Sequence, residues 1–221
     1  MKILELFSGT ASFSKVAMGG GHQVFTVDIE PQFNPSLCID IMQLTPEMIL
    51  EQFGQPDIIW ASPPCTTFSV ASLRHYWENG KPKNYKALQG IAVAKKTLEI
   101  IKALNPKFFI IENPRGMLRK QDFMQEMKRT TVTYCQYGLE YQKATDLWNN
   151  LENWNPRPMC SPKSPCHVRS PRGSKNGIQG LKAKTGFHPD FAYKIDRKGG
   201  SAAMRAIVPE SLCKEILEAC K

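Results

Sequence analysis

Short apolar runs alternate with amphipathic stretches along the first two thirds of the chain, punctuated by glycine, proline and small polar residues. Ile3-Leu4-Glu5-Leu6-Phe7 has the length and apolar character of a buried strand. After the turn Ser8–Ser12, Phe13 to Met18 reads as a helix and Gln23 to Asp28 as a second strand. A short element closes at Cys38-Ile39-Asp40-Ile41, and Thr45 is placed to cap a helix through Phe53. Asp57 to Ala61 is a strand that runs straight into Ser62-Pro63-Pro64-Cys65. Residues 70–89 are polar and aromatic and contain Gly80 and Pro82, which predicts a mobile loop. From Tyr85 or Ala87 to Leu104, the positions Ile91, Ala94, Leu98 and Ile101 recur at helical spacing, and Asn105-Pro106 ends the helix. Phe108–Ile111 is a buried strand ending in Glu112-Asn113-Pro114-Arg115-Gly116, Thr130 to Tyr137 alternates as a strand, and Thr145 to Trp148 begins another. Pro209 to Ala219 is an amphipathic last helix. Strands alternating with helices in this way predict an α/β fold with a parallel sheet.

Composition narrows the class. A chain of 221 residues with 42% hydrophobic content can bury one sizeable core. No apolar run reaches the roughly 18 residues of a membrane span, and Met1-Lys2-Ile3-Leu4-Glu5 is no signal peptide, so a cytoplasmic protein without membrane association is expected. Seven scattered cysteines argue for reduced thiols, one of them special, over a disulfide framework. The formal net charge of +9 points to a polyanionic partner. Between Asn155 and Pro189 stand Arg157, Lys163, Arg169, Arg172, Lys175, Lys182 and Lys184 without one acidic residue, in a loop-rich stretch suited to phosphate contacts.

The candidate chemistry sits at the strand ends. Two prolines in a row fix the backbone before Cys65 and aim its side chain, and a thiol held so can be a nucleophile. The alternative is a buried cysteine in a strand-to-loop turn. Ser8–Ser12 follows the first strand, where a doubly wound fold places its ligand crevice. Asp28 ends the second strand, where an acid can accept from ribose hydroxyls, and Asp40 ends the third, within reach of an adenine amino group; either could instead be a turn former. Glu112 follows four apolar residues, next to the Cys65 strand end if the strands lie in that order, and can serve there as a proton donor. Cys160, Cys166 and His167, with Cys135 or His188 as further donors, could hold zinc. Their spacing is not a standard zinc pattern, so free loop thiols, and no metal, are the expectation.

These residues together resemble the DNA (cytosine-5) methyltransferases. Leu6-Phe7-Ser8-Gly9 is similar to their S-adenosylmethionine loop, Pro63-Pro64-Cys65 with Phe68-Ser69 to their catalytic motif, and Glu112-Asn113-Pro114 to their Glu-Asn-Val motif. Val208-Pro209-Glu210-Ser211-Leu212 is a degraded form of the C-terminal motif that closes the cofactor pocket. The likeness runs to about Trp148 and resumes near Arg205. It implies a Rossmann-like methyltransferase fold with S-adenosylmethionine as cofactor, held by Phe7, Ser8, Gly9, Thr10, Asp28, Ile29, Asp40, Ile41, Ser62 and Pro63. It further implies a catalytic core over 1–148, a small loop-rich recognition region over 149–204, and a C-terminal segment, 205–221, that returns to the core. Cys65 would attack cytosine C6 while Glu112 protonates N3. Lys143, in Tyr141-Gln142-Lys143-Ala144-Thr145-Asp146, would replace the arginine of the family's Gln-x-Arg-x-Arg motif, and Arg205-Ala206 replaces the usual Gly-Asn. Ser69, Arg115, Arg169, Arg172 and Lys175 would contact nucleic acid. The size suggests a compact, phage- or mobile-element-like monomer working in a bacterial cell or phage-infected host. RNA as substrate, or a catalytically weak nucleic-acid-binding relative, are the alternatives.

Overall fold

The computed structural model describes residues 1–139, 141–167 and 206–221. In chain order its elements are β1 (Lys2–Leu6), α1 (Ser12–Gly19), β2 (Gln23–Asp28), β3 (Leu37–Cys38), α2 (Pro46–Gln52), β4 (Ile58–Ala61), α3 (Leu73–Tyr76), β5 (Trp77–Glu78), β6 (Lys81–Pro82), α4 (Tyr85–Leu104), β7 (Phe108–Pro114), β8 (Arg129–Thr133), β9 (Ala144–Asn149) and α5 (Glu210–Ala219). Seven strands form one sheet in the order β3-β2-β1-β4-β7-β9-β8. The five from β3 to β7 pair in parallel, and β9 lies antiparallel between β7 and β8.

Both faces of the sheet are covered, which is why its central strands read as continuous apolar runs. Leu4, Leu6, Ile59 and Ala61 face one core with Ile49 of α2 and Leu98 and Ile101 of α4. Their neighbours Ile3, Ile58 and Trp60 face the other, with Phe13 and Ala17 of α1 and Leu212 and Ile216 of α5. Phe13 stacks on Trp60 at 4.6 Å between centroids, fixing α1 against the middle of the sheet. Thr45 caps α2 through Met48 N–H at 3.4 Å, and Asn84 caps α4 through Ala87 N–H at 3.1 Å.

Three elements differ from the sequence expectation. Residues 70–89 are not one loop: α3, the β5–β6 hairpin and the first turn of α4 occupy them, held by Trp77, whose indole N–H donates to the Thr67 carbonyl at 2.6 Å. β3 stops at Cys38, so Asp40 lies beyond it and accepts from Met42 N–H at 2.9 Å as a turn former. β8 ends at Thr133, and Tyr134–Tyr137 forms a 3-10 turn instead of more strand. Val132 to Cys135 are all buried, so the run lacks the two-faced alternation of an exposed strand, and Gly138 in a left-handed conformation (φ 92°) closes the turn.

The turn after β4 is braced from several directions. Asn113 Nδ2 donates to the Pro63 carbonyl at 2.8 Å, Met117 N–H to the Phe68 carbonyl at 2.7 Å, and Ser72 Oγ to the Thr66 carbonyl at 2.5 Å. The approach is close enough to require glycine at 116, where a Cβ would stand 2.0 Å from the Phe68 carbonyl oxygen. Gly116→Ala is expected to cost about 2–4 kcal/mol and lower the melting temperature by several degrees. Gly19→Ala, at a helix end where a Cβ meets nothing within 4 Å, should be neutral or slightly stabilising. Equal melting temperatures for the two variants would refute the close-approach argument.

Candidate active site

The strand order reverses between β1 and β4, which opens a crevice at their C-terminal ends. A cavity of about 440 Å³ lies there, lined by the loop Phe7–Thr10 together with Ser62–Thr66, Glu112 and Lys143. The loop after β1 is unusual. Phe7, Gly9 and Ala11 all take left-handed conformations (φ 59°, 44° and 54°), a costly backbone for two residues that carry a Cβ. Asp28 holds the loop in that shape: its Oδ2 accepts from Gly9 N–H at 2.7 Å, while Oδ1 accepts from Glu30 N–H at 2.9 Å.

Cys65 is partly exposed at the cavity wall. Its carbonyl accepts from both Phe68 and Ser69 N–H groups, at 3.0 and 2.9 Å, so the turn closes directly behind it. Phe68 is fully buried and anchors the turn in the core. Ser62 joins the rim to the sheet, donating its N–H to the Leu6 carbonyl at 3.2 Å and accepting from the Trp60 indole at 2.9 Å.

Glu112 is 5% exposed, on the strand next to that of Cys65; β7 runs on past it to Pro114, paired with β9, so Glu112 stands where the pairing with β4 stops and not at the strand end expected from sequence. Tyr134 donates its hydroxyl to Glu112 Oε1 at 2.8 Å, and Lys143 Nζ lies 3.7 Å from the same oxygen. Lys143 also sits 4.5 Å above the Tyr134 ring, and its carbonyl accepts from Tyr134 N–H at 2.9 Å. Burial, then the neighbouring Glu112, pushes the Tyr134 hydroxyl well above the usual tyrosine range, so it remains a donor at any working pH.

The structure therefore gathers Phe7, Ser8, Gly9, Thr10, Ser62, Pro63, Cys65, Glu112 and Lys143 around one cavity. Asp28, Ile29, Asp40, Ile41, Ser69 and Arg115 do not line it. Ile29 is 57% exposed and Ile41 is buried, while Ser69 and Gly116 form an isolated antiparallel bridge behind the turn. Arg169, Arg172, Lys175 and His188 lie outside the described residues, as does Arg205. The sequence reading missed Tyr134, Glu5, Glu30, Gln32 and Phe33. Glu30 and Phe33 were within reach of it, as they flank the turn that begins at Asp28. As the C-terminal motif implies, Val208 comes back to the cavity wall, donating its N–H to Ser12 Oγ at 3.2 Å.

Away from the cavity, Cys135, Cys160 and Cys166 bring their sulfurs within 4.8 Å of one another, and His167 Nδ1 lies 2.9 Å from Cys160 Sγ. The loose thiols expected from the spacing thus form a cluster instead, and no cysteine is in a disulfide.

Glu5 is the cavity's most perturbed acid: burial raises its pKa from 4.5 to about 7, against the opposing hydrogen bond from Ser14 N–H at 2.8 Å. A raised acid binds its proton more tightly folded than unfolded, so stability falls as pH rises from 4.5 to about 7. Glu5→Gln should remove about 3 kcal/mol of that decline. Chemical denaturation at pH 5 and pH 8 would show it as a variant that gains on the parent at the higher pH. Parallel curves would mean that Glu5 titrates normally.

A family model for the C-5 cytosine-specific DNA methylases matches residues 1–149. The chain is 31% identical over 229 residues to a frog virus 3 (isolate Goorha) protein assigned as a DNA (cytosine-5)-methyltransferase, covering 100% of both chains. It is 28% identical over 123 residues to the type II methyltransferase M1.HphI of Haemophilus parahaemolyticus, covering 50% of this chain and 31% of that one. In fold it is similar to a prophage-encoded E. coli protein assigned to the DNA modification methyltransferases (TM-score 0.52, 17% identity, 72% of this chain and 52% of that one). A similar likeness holds for the S. pombe Dnmt2 methyltransferase (TM-score 0.50, 14% identity, 71% and 52%). The chain thus spans the whole viral relative and about half or less of the bacterial and solved ones. A cysteine on a proline-stiffened turn, a buried acid on the neighbouring strand and a family match over the same residues lead to one conclusion: the chain belongs to the C-5 cytosine-specific DNA methylase family.

Proposed function

We propose that this chain methylates C5 of cytosine in DNA, with Cys65 as nucleophile and Glu112 as the acid, at a target base flipped out of the duplex. The observation that carries the reading is the placement of Cys65, Glu112 and Lys143 around one cavity that the Phe7–Thr10 loop also lines. Cytosine C6 and N3 are inaccessible inside a stacked duplex, so the base must leave it to meet these groups.

The cavity suits S-adenosylmethionine. Its volume of about 440 Å³ falls in the range of small-molecule sites. Phe7–Thr10 would hold the amino-acid portion, and Phe33 offers an aromatic wall for the base. Asp28 accepts one backbone N–H on each oxygen, from Gly9 and from Glu30, and keeps a further lone pair on each for a ribose hydroxyl, while Glu30 lines the cavity beside it as a second candidate. When bound, S-adenosylmethionine supplies a methyl group on a positively charged sulfur.

The chain's own residues account for the rest. Cys65, as thiolate, adds to C6 and pushes electron density through the ring, while Glu112 gives a proton to N3. C5 then carries the electron pair that takes the methyl group. A base removes the C5 proton, the C6–S bond breaks so that C5=C6 re-forms and Cys65 leaves as thiolate, and the N3 proton returns to Glu112. Tyr134 and Lys143 both address Oε1 of Glu112, so Oε2 is the oxygen that would meet N3. The basic residues Arg169, Arg172 and Lys175, in the proposed recognition region 149–204, would add phosphate contacts, as would the exposed Arg115.

Trapping tests the reading directly. DNA containing 5-fluorocytosine has no C5 proton to lose, so the enzyme with S-adenosylmethionine should form a denaturation-resistant adduct. Cys65→Ala should abolish the adduct and leave cofactor binding intact. An adduct with RNA alone would move the substrate to RNA, and one that survives Cys65→Ala would refute the nucleophile. Tyr134→Phe should keep the fold and lower the methyl-transfer rate about 10- to 100-fold, the worth of one hydrogen bond to a charged group. An unchanged single-turnover rate would show that Tyr134 does not position Glu112.

A further inference from the structure

The thiol cluster has no part in this chemistry, yet two segments of chain are shaped around it. Cys135 lies in the turn after β8, and Cys160 and Cys166 lie beyond β9. Cys160 N–H donates to Thr133 Oγ1 at 2.9 Å, which ties the stretch after β9 to the end of β8. Two serine turns then fold the chain back: Ser161 N–H donates to Ser164 Oγ at 3.1 Å, and His167 N–H to the Ser164 carbonyl at 2.9 Å. The result is three sulfurs within 4.8 Å of one another, with the His167 ring against the Cys160 sulfur.

A zinc ion at about 2.3 Å from each sulfur would set the sulfurs about 3.8 Å apart, so the cluster needs to tighten by about 1 Å at most. Three thiols and an imidazole are the donor set that zinc takes in closed tetrahedral sites; the three sulfurs are already together, and the His167 ring, beside the Cys160 sulfur, has to turn toward the other two to complete it. A disulfide would use two of the sulfurs and leave the third and the ring idle. Gln136 supplies a further feature of metal sites, a side-chain amide that donates to Cys166 Sγ at 3.3 Å. The segment also needs a cross-link: beyond Leu151 its side chains are mostly exposed, so little apolar burial holds it.

We propose that Cys135, Cys160, Cys166 and His167 bind one zinc ion, which clips the segment after β9 to the turn carrying Tyr134. Each thiol gives up its proton on binding, so the site fills more readily as pH rises. Cys135 follows Tyr134 directly, so the clip would also steady the hydroxyl that meets Glu112.

Metal analysis of the full-length protein, purified without chelator, should find about one zinc per chain. Cys160→Ser and Cys166→Ser should lose it, and Cys38→Ser, at an exposed thiol, should retain it. Replacement by Co²⁺ should give the intense sulfur-to-metal absorption of a tetrahedral thiolate site. Should the cysteine variants fail to fold, Gln136→Ala keeps every ligand and should weaken zinc affinity about 10- to 100-fold against a chromogenic chelator. Zinc at trace level with no cobalt spectrum would overturn the proposal. So would full zinc in folded Cys160→Ser, or an affinity unchanged in Gln136→Ala.

Discussion

The active site depends on the register of three parallel strands. Leu6 pairs with Ala61 and Ala61 with Ile111, so β1, β4 and β7 present their next residues, Phe7, Ser62 and Glu112, at one level. A shift of one residue would turn Glu112 away from the rim and bring an apolar side chain in its place. The two-sided core is what forbids the shift. Ile58 and Trp60 face α1 and α5 while Ile59 and Ala61 face α2 and α4, and a slip would exchange both sets at once. Catalytic geometry here is a by-product of apolar burial on both faces of a sheet.

Strand register delivers the backbone, but polar groups aim the side chains. Asn113 and Met117 brace the turn behind Cys65, and Asp28 shapes the loop across from it. The buried Asp146 does the same for β8 and β9: Arg119 Nε donates to its Oδ2 at 2.8 Å, Arg119 Nη2 to its Oδ1, and Thr131 Oγ1 to Oδ1 at 2.8 Å. An acid that is fully buried and thus paired adds little net stability over an apolar residue, yet breaking the pair costs about 3–5 kcal/mol. What the arrangement does is fix β9 between β7 and β8, and that strand begins one residue after Lys143.

This out-of-order strand marks the limit of what the sequence discloses. Cys65 and Glu112 were legible because each ends a local apolar run and so announces its own position. Lys143 was legible as a place in a motif, but its partner was not. Tyr134 stands nine positions earlier, in a run whose buried residues do not alternate, and only the insertion of β9 brings the two together over Glu112. The thiol cluster follows the same logic, since Cys135 lies far from Cys160 in the chain and the contact depends on Thr133 holding Cys160 from across the fold. Asp28 shows a second layer to a legible acid: besides ending its strand, it accepts Gly9 and Glu30 N–H groups and so shapes the backbone around it, which its place in the sequence does not announce.

Lys143 also shows how one departure from a family pattern can be absorbed. An arginine fork at this position could engage a base through several donors in a plane. A lysine ammonium is a compact point charge, and here it lies over the Tyr134 ring, 3.7 Å from Glu112. Its field acts on the acid, and its reach is spent within the pair. Positive charge at the site is therefore retained, while the planar hydrogen-bonding surface is lost. On the role proposed for Lys143, the burden of holding a flipped base moves toward the turn around Cys65 and toward Glu112 itself. That turn is braced by Asn113, Met117 and Trp77, and such bracing is what a site needs when fewer donors are left to grip its substrate.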